Sequence, residues 1–246
     1  MMKAGLYTFI NAILIVILAG MFACEDAEEN DSNDNTDNSD NVNIEALSDG
    51  DFEEWKVHTE GEVSYEVPAS EWWGSLNMLK TLGSPLTMTK TDNAHTGNFA
   101  VRLETINWGD ELIIPGIIAA GYFDPDQPIS ENLMLGRPFT QKPDVLRGYF
   151  TYDPATQDTA IFYTNLTRYN TETDQRDTIA EADISITDSI PDYQLFEMTY
   201  TYYLPGLEPD TINVLFLTSV SGQEFMGHPG STLSIDDVEL VFSNDE

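Results

Sequence analysis

Two short stretches carry the residue types that could do chemistry in this chain. The first, SDGDFEEW (48–55), places four carboxylates within seven residues, beside two aromatic side chains. The second, SEWWGSLN (70–77), places two adjacent tryptophans next to glycine and serine. Carboxylate oxygens are the ligands that hard divalent cations prefer, and tryptophan rings offer flat apolar faces on which the C–H faces of sugar rings can stack. The two stretches therefore suggest ion binding and glycan binding.

A further acidic pair lies near the end of the chain, in TLSIDDVELVF (232–242). The apolar residues before Asp236 and those after Asp237 fall in opposite phases of a strand alternation, and such a slip predicts a β-bulge. A similar slip separates Phe52 from Trp55 in the first stretch. If the first and last strands are neighbours, two carboxylate-bearing bulges meet at one end of the domain. Calcium would suit that junction.

Four residues form the expected carbohydrate-binding set. Trp72 and Trp73 would point to opposite faces of a strand, so we expect one in the core and one free to stack on a sugar, although either could equally be a core residue. Asn77 could offer both a donor and an acceptor to a hydroxyl group. Trp108, which we expect in a polar loop, INWGDE, after the FAVRLET strand, is a further stacking candidate.

Sequence motifs of the common enzyme classes are missing. The three histidines have no zinc-type spacing, and the sequence contains no nucleophile elbow, phosphate loop or dinucleotide fingerprint. A glycoside hydrolase needs only two well-placed carboxylates, and 43 Asp and Glu residues offer too many pairs for that test to discriminate. Glycoside hydrolysis is therefore the alternative to non-catalytic binding, and a protein-interaction module of the cell surface is the second alternative.

The N-terminus predicts export and lipid attachment. Residues 1–23 combine Lys3 with an apolar run from position 4, as in a secretory signal peptide, and Cys24 follows directly. Because it is the chain's sole cysteine, it cannot close an intramolecular disulfide, and its position after Ala23 favours lipidation. The alternative is an uncleaved membrane anchor, since about 20 apolar residues can span a bilayer. Both interpretations tether the protein outside the cytoplasm.

Residues 24–43 are predicted to be a disordered acidic tether. EDAEENDSNDNTDNSDN contains eight acidic residues and no bulky apolar side chain, so it cannot bury enough surface to fold. Its self-repulsion favours an extended chain. Acidic residues directly after a lipidated cysteine also resemble the signal that sends lipoproteins of some Gram-negative bacteria to the outer face. We therefore expect a lipid-anchored protein of the cell outer membrane that faces the exterior.

The charge of the chain limits its partners. Ten Lys and Arg stand against 43 Asp and Glu, which gives a formal net charge of −33. Such a field repels phosphate backbones, so we expect no nucleic acid partner. It also opposes uronic or sulfated glycans unless a cation bridges them. A neutral polysaccharide or oligosaccharide is the expected partner.

Residues 44–246 are predicted to form one all-β domain. About ten runs are apolar in alternation or rich in aromatic and β-branched residues, as strands are, and they are separated by Gly, Pro, Asp and Asn. FAVRLET (99–105) alternates cleanly, whereas INVLFLTSV (212–220) is apolar on both faces and should be a central strand. No stretch after the leader has a helical period, and there is no internal repeat. The pattern predicts a β-sandwich of jelly-roll type.

Four motifs occur in an order and spacing that resemble a known family. They are GDFEEW, TGNFAVRLET, GRPFTQKPDVLRGYFTY and GHPGSTLSIDDVEL. Together they resemble the family named putative carbohydrate metabolism domain (PCMD), found in bacterial surface lipoproteins, over nearly all of residues 44–242. The resemblance implies a jelly-roll domain similar to galactose-binding-like carbohydrate-binding modules. Those modules commonly hold a structural calcium near motifs of this kind.

The same resemblance implies a set of calcium ligands. By matching motif, Glu53 and Asp237 are the side-chain ligands expected first, with Asp236 second and Gly97 as a carbonyl donor. The alternative is that these acidic pairs are solvated strand ends. The family's name does not by itself secure a function. The sequence thus predicts a surface lipoprotein with a non-catalytic, carbohydrate-binding β-sandwich.

Overall fold

The computed structural model describes residues 42–109, 112–123, 133–220 and 227–243. The predicted signal peptide, Cys24 and residues 24–41 of the predicted tether lie outside these ranges. Among the described residues, none belongs to a helix that is long and apolar enough to cross a membrane. The first strand begins at Val42, two residues before the predicted start of the domain, because it pairs with the last strand at Ser243.

The described residues are almost entirely strands and turns. One 3₁₀ helix, η1 (Leu76–Leu82), interrupts them. The strands are β1 (Val42–Ala46), β2 (Trp55–Glu60), β3 (Val63–Pro68), β4 (Trp73–Ser75), β5 (Met88–Thr91), β6 (Ala100–Glu104), β7 (Ile106–Trp108), β8 (Leu112–Ile114), β9 (Ile117–Phe123), β10 (Leu133–Leu135), β11 (Arg137–Pro138), β12 (Val145–Asp153), β13 (Ala160–Asn170), β14 (Gln175–Ile186), β15 (Ile190–Thr199), β16 (Thr201–Tyr202), β17 (Thr211–Leu217) and β18 (Thr232–Ser243).

Two large antiparallel sheets pack face to face. The six-stranded sheet has the order β15-β12-β18-β6-β5, with β1 paired to β18. The eight-stranded sheet has the order β10-β9-β17-β13-β14-β16, with β4 paired to β9 and β11 paired to β17. Two hairpins, β2-β3 and β7-β8, form small sheets of their own. The predicted all-β jelly-roll sandwich is confirmed, and the predicted central strand is β17.

Four phenylalanines join the two sheets at the centre of the core. Phe150 and Phe196 come from the six-stranded sheet, and Phe162 and Phe216 come from the eight-stranded sheet. Phe162 packs edge-on against each of the other three, with ring centroids 5.0 to 5.2 Å apart. Aromatic pairs of this geometry add about 0.5 to 1.5 kcal/mol each to the free energy of burial. The alternating aromatic residues of these strands therefore fix how the sheets face each other.

Strand β18 contains the predicted bulge. Two of its residues, Asp237 and Val238, lie opposite a single residue of β12, Gly148. Asp237 adopts a left-handed φ of 50°. The extra residue changes the phase of the strand, so that Ile235 before the bulge and Val238 after it are both buried in the core. The bulge predicted from the slip in the alternation is confirmed.

The outer face of the eight-stranded sheet is covered in part. Helix η1 and hairpin β7-β8 contribute apolar side chains that pack on this face in a second cluster separate from the main core. The buried members of that cluster are Leu76, Leu79, Leu112, Ile114, Ile117, Ala119, Ile161, Tyr163, Leu215 and Leu217. The sheet is therefore apolar on both faces where η1 and the hairpin lie.

Candidate functional site

Residues 47–55, which we call the joint segment, dock on the bulge of β18. The N–H of Leu47 donates to the carbonyl of Val238 over 3.2 Å, and the N–H of Val238 donates to the carbonyl of Gly50 over 2.8 Å. A Cβ at Gly50 would lie 2.3 Å from the Val238 carbonyl oxygen, so the close approach requires glycine. Phe52 then enters the core with a left-handed φ of 48°. The first carboxylate-rich stretch is thus fixed beside the second.

Glu53 of the joint segment holds the loop formed by residues 92–99. Its Oε1 accepts hydrogen bonds from the N–H of Asn98 over 2.7 Å and from the N–H of Phe99 over 2.9 Å. Its Oε2 accepts one from Nδ2 of Asn98 over 3.0 Å. The hydrogen bond from the Phe99 N–H is the main cause that lowers the pKa of Glu53. The carboxylate is therefore stabilised in its charged form by the loop that it holds.

The two aspartates of the β18 bulge hold the same loop. Oδ2 of Asp236 accepts from the N–H groups of His95 (2.7 Å) and Thr96 (3.3 Å). Oδ2 of Asp237 lies 2.7 Å from Nδ1 of His95, and the hydroxyl of Thr96 donates to Asp237 over 3.0 Å. We call Glu53, Asp236 and Asp237 together the carboxylate clasp.

Burial sets the charge of Asp236. Its side chain is fully buried, and this burial is the main cause that raises its pKa to about 6. The hydrogen bond from the His95 N–H lowers the pKa, and the neighbouring Asp237 carboxylate raises it. Asp236 therefore depends on donated hydrogen bonds for its ionised form, since like charge lies on its other side.

The predicted side-chain ligands of calcium all bond the loop formed by residues 92–99, and they do so as hydrogen-bond acceptors. Oε1 of Glu53 and Oδ2 of Asp236 each accept two N–H donors, which fills the lone pairs of those oxygens. A Cβ on Gly97 would lie 2.2 Å from Oε1 of Glu53. Within the described ranges, no group of three or more His, Cys, Asp or Glu is arranged to hold a metal ion. The arrangement fits a hydrogen-bonded clasp rather than a calcium cage, and calcium binding stays a prediction.

The tryptophan pair is divided between the core and its edge. Trp73 is 6% exposed, and its Nε1 donates to the carbonyls of Ser48 and Asp49 over 3.1 Å each. Trp72 is half-buried and packs edge-on against Trp73, with ring centroids 4.8 Å apart. The expectation that one of the two belongs to the core is confirmed for Trp73. Part of the Trp72 ring also packs on the core, and its stacking on a sugar stays a prediction.

Two other members of the predicted carbohydrate-binding set lie elsewhere. Asn77 is 1% exposed; its Nδ2 donates to the Met88 carbonyl, and its Oδ1 accepts from the N–H groups of Thr87 and Met88. Its amide joins η1 to β5 through these bonds, and its contact with a sugar stays a prediction. Trp108 ends strand β7 and packs, half-buried, on the second apolar cluster. The prediction that it lies in a polar loop is wrong.

A cleft of about 620 Å³ opens beside Trp73. One wall is a face of hairpin β2-β3, where the directly paired residues His58 and Tyr65 lie with ring centroids 5.1 Å apart. Strand β4, which lies within the second of the two stretches, SEWWGSLN, also lines the cleft. Ser70, Ser75 and other polar side chains lie at its edges. We call this space the hairpin cleft.

Charged side chains lie at the rim and the floor of the hairpin cleft. At the rim, Nζ of Lys56 lies 3.4 Å from Oε1 of Glu71, and both side chains are well exposed. At the floor, the guanidinium of Arg137 donates to the carbonyls of Trp72 (2.8 Å) and Gly121 (2.5 Å). Burial, followed by the Glu60 carboxylate, raises the pKa of Tyr65 to about 12. The tyrosine ring of the wall is therefore neutral at physiological pH.

The joint segment also positions the hairpin cleft. Oδ2 of Asp49 accepts the N–H of Ser70 over 2.8 Å, and the carbonyl of Glu54 accepts the N–H of Ala69 over 2.8 Å. These bonds fix the chain where β3 leads into β4. Sequence reasoning missed the cleft because its aromatic wall depends on the register of β2 and β3. The sequence signal for this hairpin is the pair of alternating runs on either side of Gly61. In the structure Gly61 has the φ of 60° that a tight turn needs.

Comparisons with known proteins show the fold. No family model matches the chain, and no curated protein matches it. A structure from Bacteroides thetaiotaomicron, described as a putative glycoside hydrolase, is 21% identical, with a TM-score of 0.62 over 82% of this chain and 71% of that chain. A second structure described as a putative glycoside hydrolase, from Bacteroides vulgatus, is 21% identical. Its TM-score is 0.64 over 79% of this chain and 97% of that chain. A family 11 carbohydrate-binding module from Clostridium thermocellum, in complex with a tetrasaccharide, is 9% identical, with a TM-score of 0.39 over 82% and 98%.

Replacing Gly97 by alanine tests the carboxylate clasp. The new Cβ would lie 2.2 Å from Oε1 of Glu53 at a φ of 66°, so the loop must move away from the carboxylate. We expect the free energy of unfolding to fall by more than about 1 kcal/mol in urea denaturation. Gly61→Ala is the matched control, because its φ is 60° but a Cβ there meets nothing within 4 Å. Equal losses in the two variants would contradict the clasp.

Thermal melting in calcium and in chelator tests the calcium prediction. Calcium binding by Glu53 and Asp237, as the sequence predicts, should give a higher melting temperature in calcium than in chelator; carboxylates held by hydrogen bonds alone should give the same melting temperature in both conditions. An ion that binds only the native state would instead add about 2.7 kcal/mol at 100 times its dissociation constant. A rise in melting temperature with calcium that Asp237→Ala abolishes would establish the calcium site predicted from the sequence.

Proposed function

We propose that this protein is a surface lipoprotein whose jelly-roll domain captures a neutral oligosaccharide or polysaccharide in the hairpin cleft without hydrolysing it. The observation that carries the proposal is the hairpin cleft itself. Its volume of about 620 Å³ is in the range of ligand sites, which combine an apolar lining with a few polar groups that orient the ligand. The lining here has that composition.

The chemistry of the cleft suits a sugar. The rings of His58 and Tyr65, which are tilted to each other by 43°, offer apolar surface on which C–H groups can pack, and Trp73 adds to the apolar lining. The hydroxyls of Ser70 and Ser75 can exchange hydrogen bonds with sugar hydroxyls. The chain's charge of −33 opposes an acidic glycan at long range. A neutral glycan meets all three conditions.

The comparisons support the proposal only at a coarse level. The two structures with the larger TM-scores are described as putative glycoside hydrolases, and the third binds a tetrasaccharide, but its TM-score is below 0.5. A shared jelly-roll fold does not transfer an activity. We therefore base non-catalytic capture on the composition of the cleft.

Replacing His58 by alanine tests the site. His58 is exposed and lines the hairpin cleft, so its loss should remove stacking surface without affecting the core. We expect the affinity for a neutral oligosaccharide, measured by isothermal titration calorimetry after a glycan-array screen, to fall by about tenfold or more, as the loss of 1 to 3 kcal/mol implies. Val57→Ala is the control, because Val57 lies on the opposite face of the same strand and is 66% exposed.

Two outcomes would contradict this proposal. If His58→Ala binds each glycan as the wild type does, the cleft is not the site. If new reducing ends accumulate when the wild type is incubated with the bound polysaccharide, the protein is a hydrolase. In that case Glu60→Gln and Glu71→Gln, which change the carboxylates lining the cleft, would show whether the reaction occurs there.

Lipid attachment gives a separate prediction. We expect the mature protein to begin with a diacylated Cys24, because a charged start and an apolar run precede this cysteine. Mass spectrometry of the membrane fraction should recover the modified peptide, and Cys24→Ser should release the protein from that fraction. Recovery of residues 1–23 on the mature chain would establish an uncleaved anchor instead.

A further inference from the structure

The outer face of the eight-stranded sheet carries a row of polar side chains beyond the part that η1 covers. Asn213 of β17, Asn165 of β13 and Glu181 of β14 are directly paired across the three strands. Directly paired residues lie on the same face of a sheet, with neighbouring strands about 4.8 Å apart. The three side chains therefore form one line perpendicular to the strands.

Hydrogen bonds connect this row to two tyrosines. Nδ2 of Asn213 donates to Oδ1 of Asn165 over 2.6 Å, and Nδ2 of Asn165 donates to the hydroxyl of Tyr163 over 2.9 Å. The hydroxyl of Tyr203 donates to Oε1 of Glu181 over 2.6 Å, and that of Tyr163 to Oε2 over 3.3 Å. The amide, phenol and carboxylate groups are thus held in fixed orientations before any ligand arrives.

Asp183 extends the row on the same face, because it is paired with Tyr163. Its side chain is exposed, and no donor among the described residues bonds to its carboxylate. The sheet surface still desolvates it in part and raises its pKa, and the Glu181 carboxylate raises the pKa further. We call Tyr163, Asn165, Glu181, Asp183, Tyr203 and Asn213 the polar shelf.

Burial and position distinguish the polar shelf from a solvated strand end. Tyr203 is 47% exposed, whereas Asn165, Glu181 and Asn213 are half-buried in mid-sheet positions. The next residues of β13 and β17 along this face, Tyr163 and Leu215, are buried in the second cluster. The face changes from a covered apolar part to an open polar part within two residues. An open polar surface of fixed geometry offers hydrogen bonds at little ordering cost.

We infer that the polar shelf is a second saccharide-binding surface, separate from the hairpin cleft, which takes a hydroxyl-rich chain through hydrogen bonds. Sugar hydroxyls both donate and accept, and the shelf offers acceptors at Asp183 and Glu181 beside amide and phenol groups. A cation would prefer a shell of oxygens alone, whereas amide N–H groups stand in this row. An anionic ligand would meet two carboxylates. A neutral polyol is the ligand chemistry that fits all of these groups.

Affinity electrophoresis in gels that contain mixed-linkage β-glucan, β-1,4-galactan or mannan tests the inference with the full chain. Asp183→Ala should weaken the retardation by at least one of these polysaccharides about tenfold. Folding should be unaffected, because Asp183 bonds to no donor among the described residues. Ser185→Ala is the matched control, two residues further along the same face of β14 and also exposed; it should behave as the wild type does.

His58→Ala separates the two sites. If the shelf binds, this variant should retain the retardation that Asp183→Ala removes, and the double variant should lose both contributions. The inference is overturned if Asp183→Ala migrates as the wild type does in every gel, or if no gel retards the wild type. It is also overturned if calcium without sugar shifts the amide resonances around Asp183, since the shelf would then be a cation site.

Discussion

The structure depends on one backbone contact, in which Gly50 and Leu47 of the joint segment pair with Val238 at the bulge of β18. Only a glycine allows this approach, because a Cβ at position 50 would overlap the Val238 carbonyl. From this contact the joint segment extends in two directions. Glu53 reaches the loop formed by residues 92–99, and Asp49 and Glu54 hold the start of the wall that carries Trp73.

The crowding of carboxylates in SDGDFEEW follows from this geometry. Glu53, Asp49 and Asp236 each accept backbone N–H groups, whereas Asp237 bonds the side chains of His95 and Thr96. Hydrogen bonds to charged groups are stronger than those between neutral groups. Donated hydrogen bonds therefore stabilise the charges of Asp49 and Glu53 close to the other carboxylates of this stretch. In a chain with ten Lys and Arg against 43 Asp and Glu, ion pairs alone could not do this.

The parts that the sequence predicted are those governed by local alternation. The β-bulge at Asp237 was predictable because a phase slip in a buried strand has one simple cause, and β17 was predictable as central because it is apolar on both faces. The joint position of Glu53 and Asp237 followed from motif resemblance. The partners of Glu53 and Asp237 could not be predicted, since they are backbone and side-chain groups of residues 95–99 whose directions depend on the path of the loop.

Other parts of the site depend on pairings between distant strands. Asn77 was assigned to the sugar from its chemistry, but its burial depends on how η1 packs on β5. His58 and Tyr65 are paired only because of the register of the β2-β3 hairpin. The row from Asn213 to Glu181 likewise forms only because three strands align in one register. Pattern alone does not supply strand connectivity or register. The functional surfaces of this domain therefore emerge only with the fold.

The central claim is that the hairpin cleft binds a neutral glycan. Amide chemical-shift mapping tests this claim most directly. In that experiment a neutral oligosaccharide, selected by glycan array, is titrated into the isotope-labelled protein. The account predicts shifts that saturate with ligand and are concentrated in the segments 56–67 and 70–75, which contain most of the residues that line the cleft. Saturating shifts that leave both of these segments unchanged, for every oligosaccharide that binds, would contradict it.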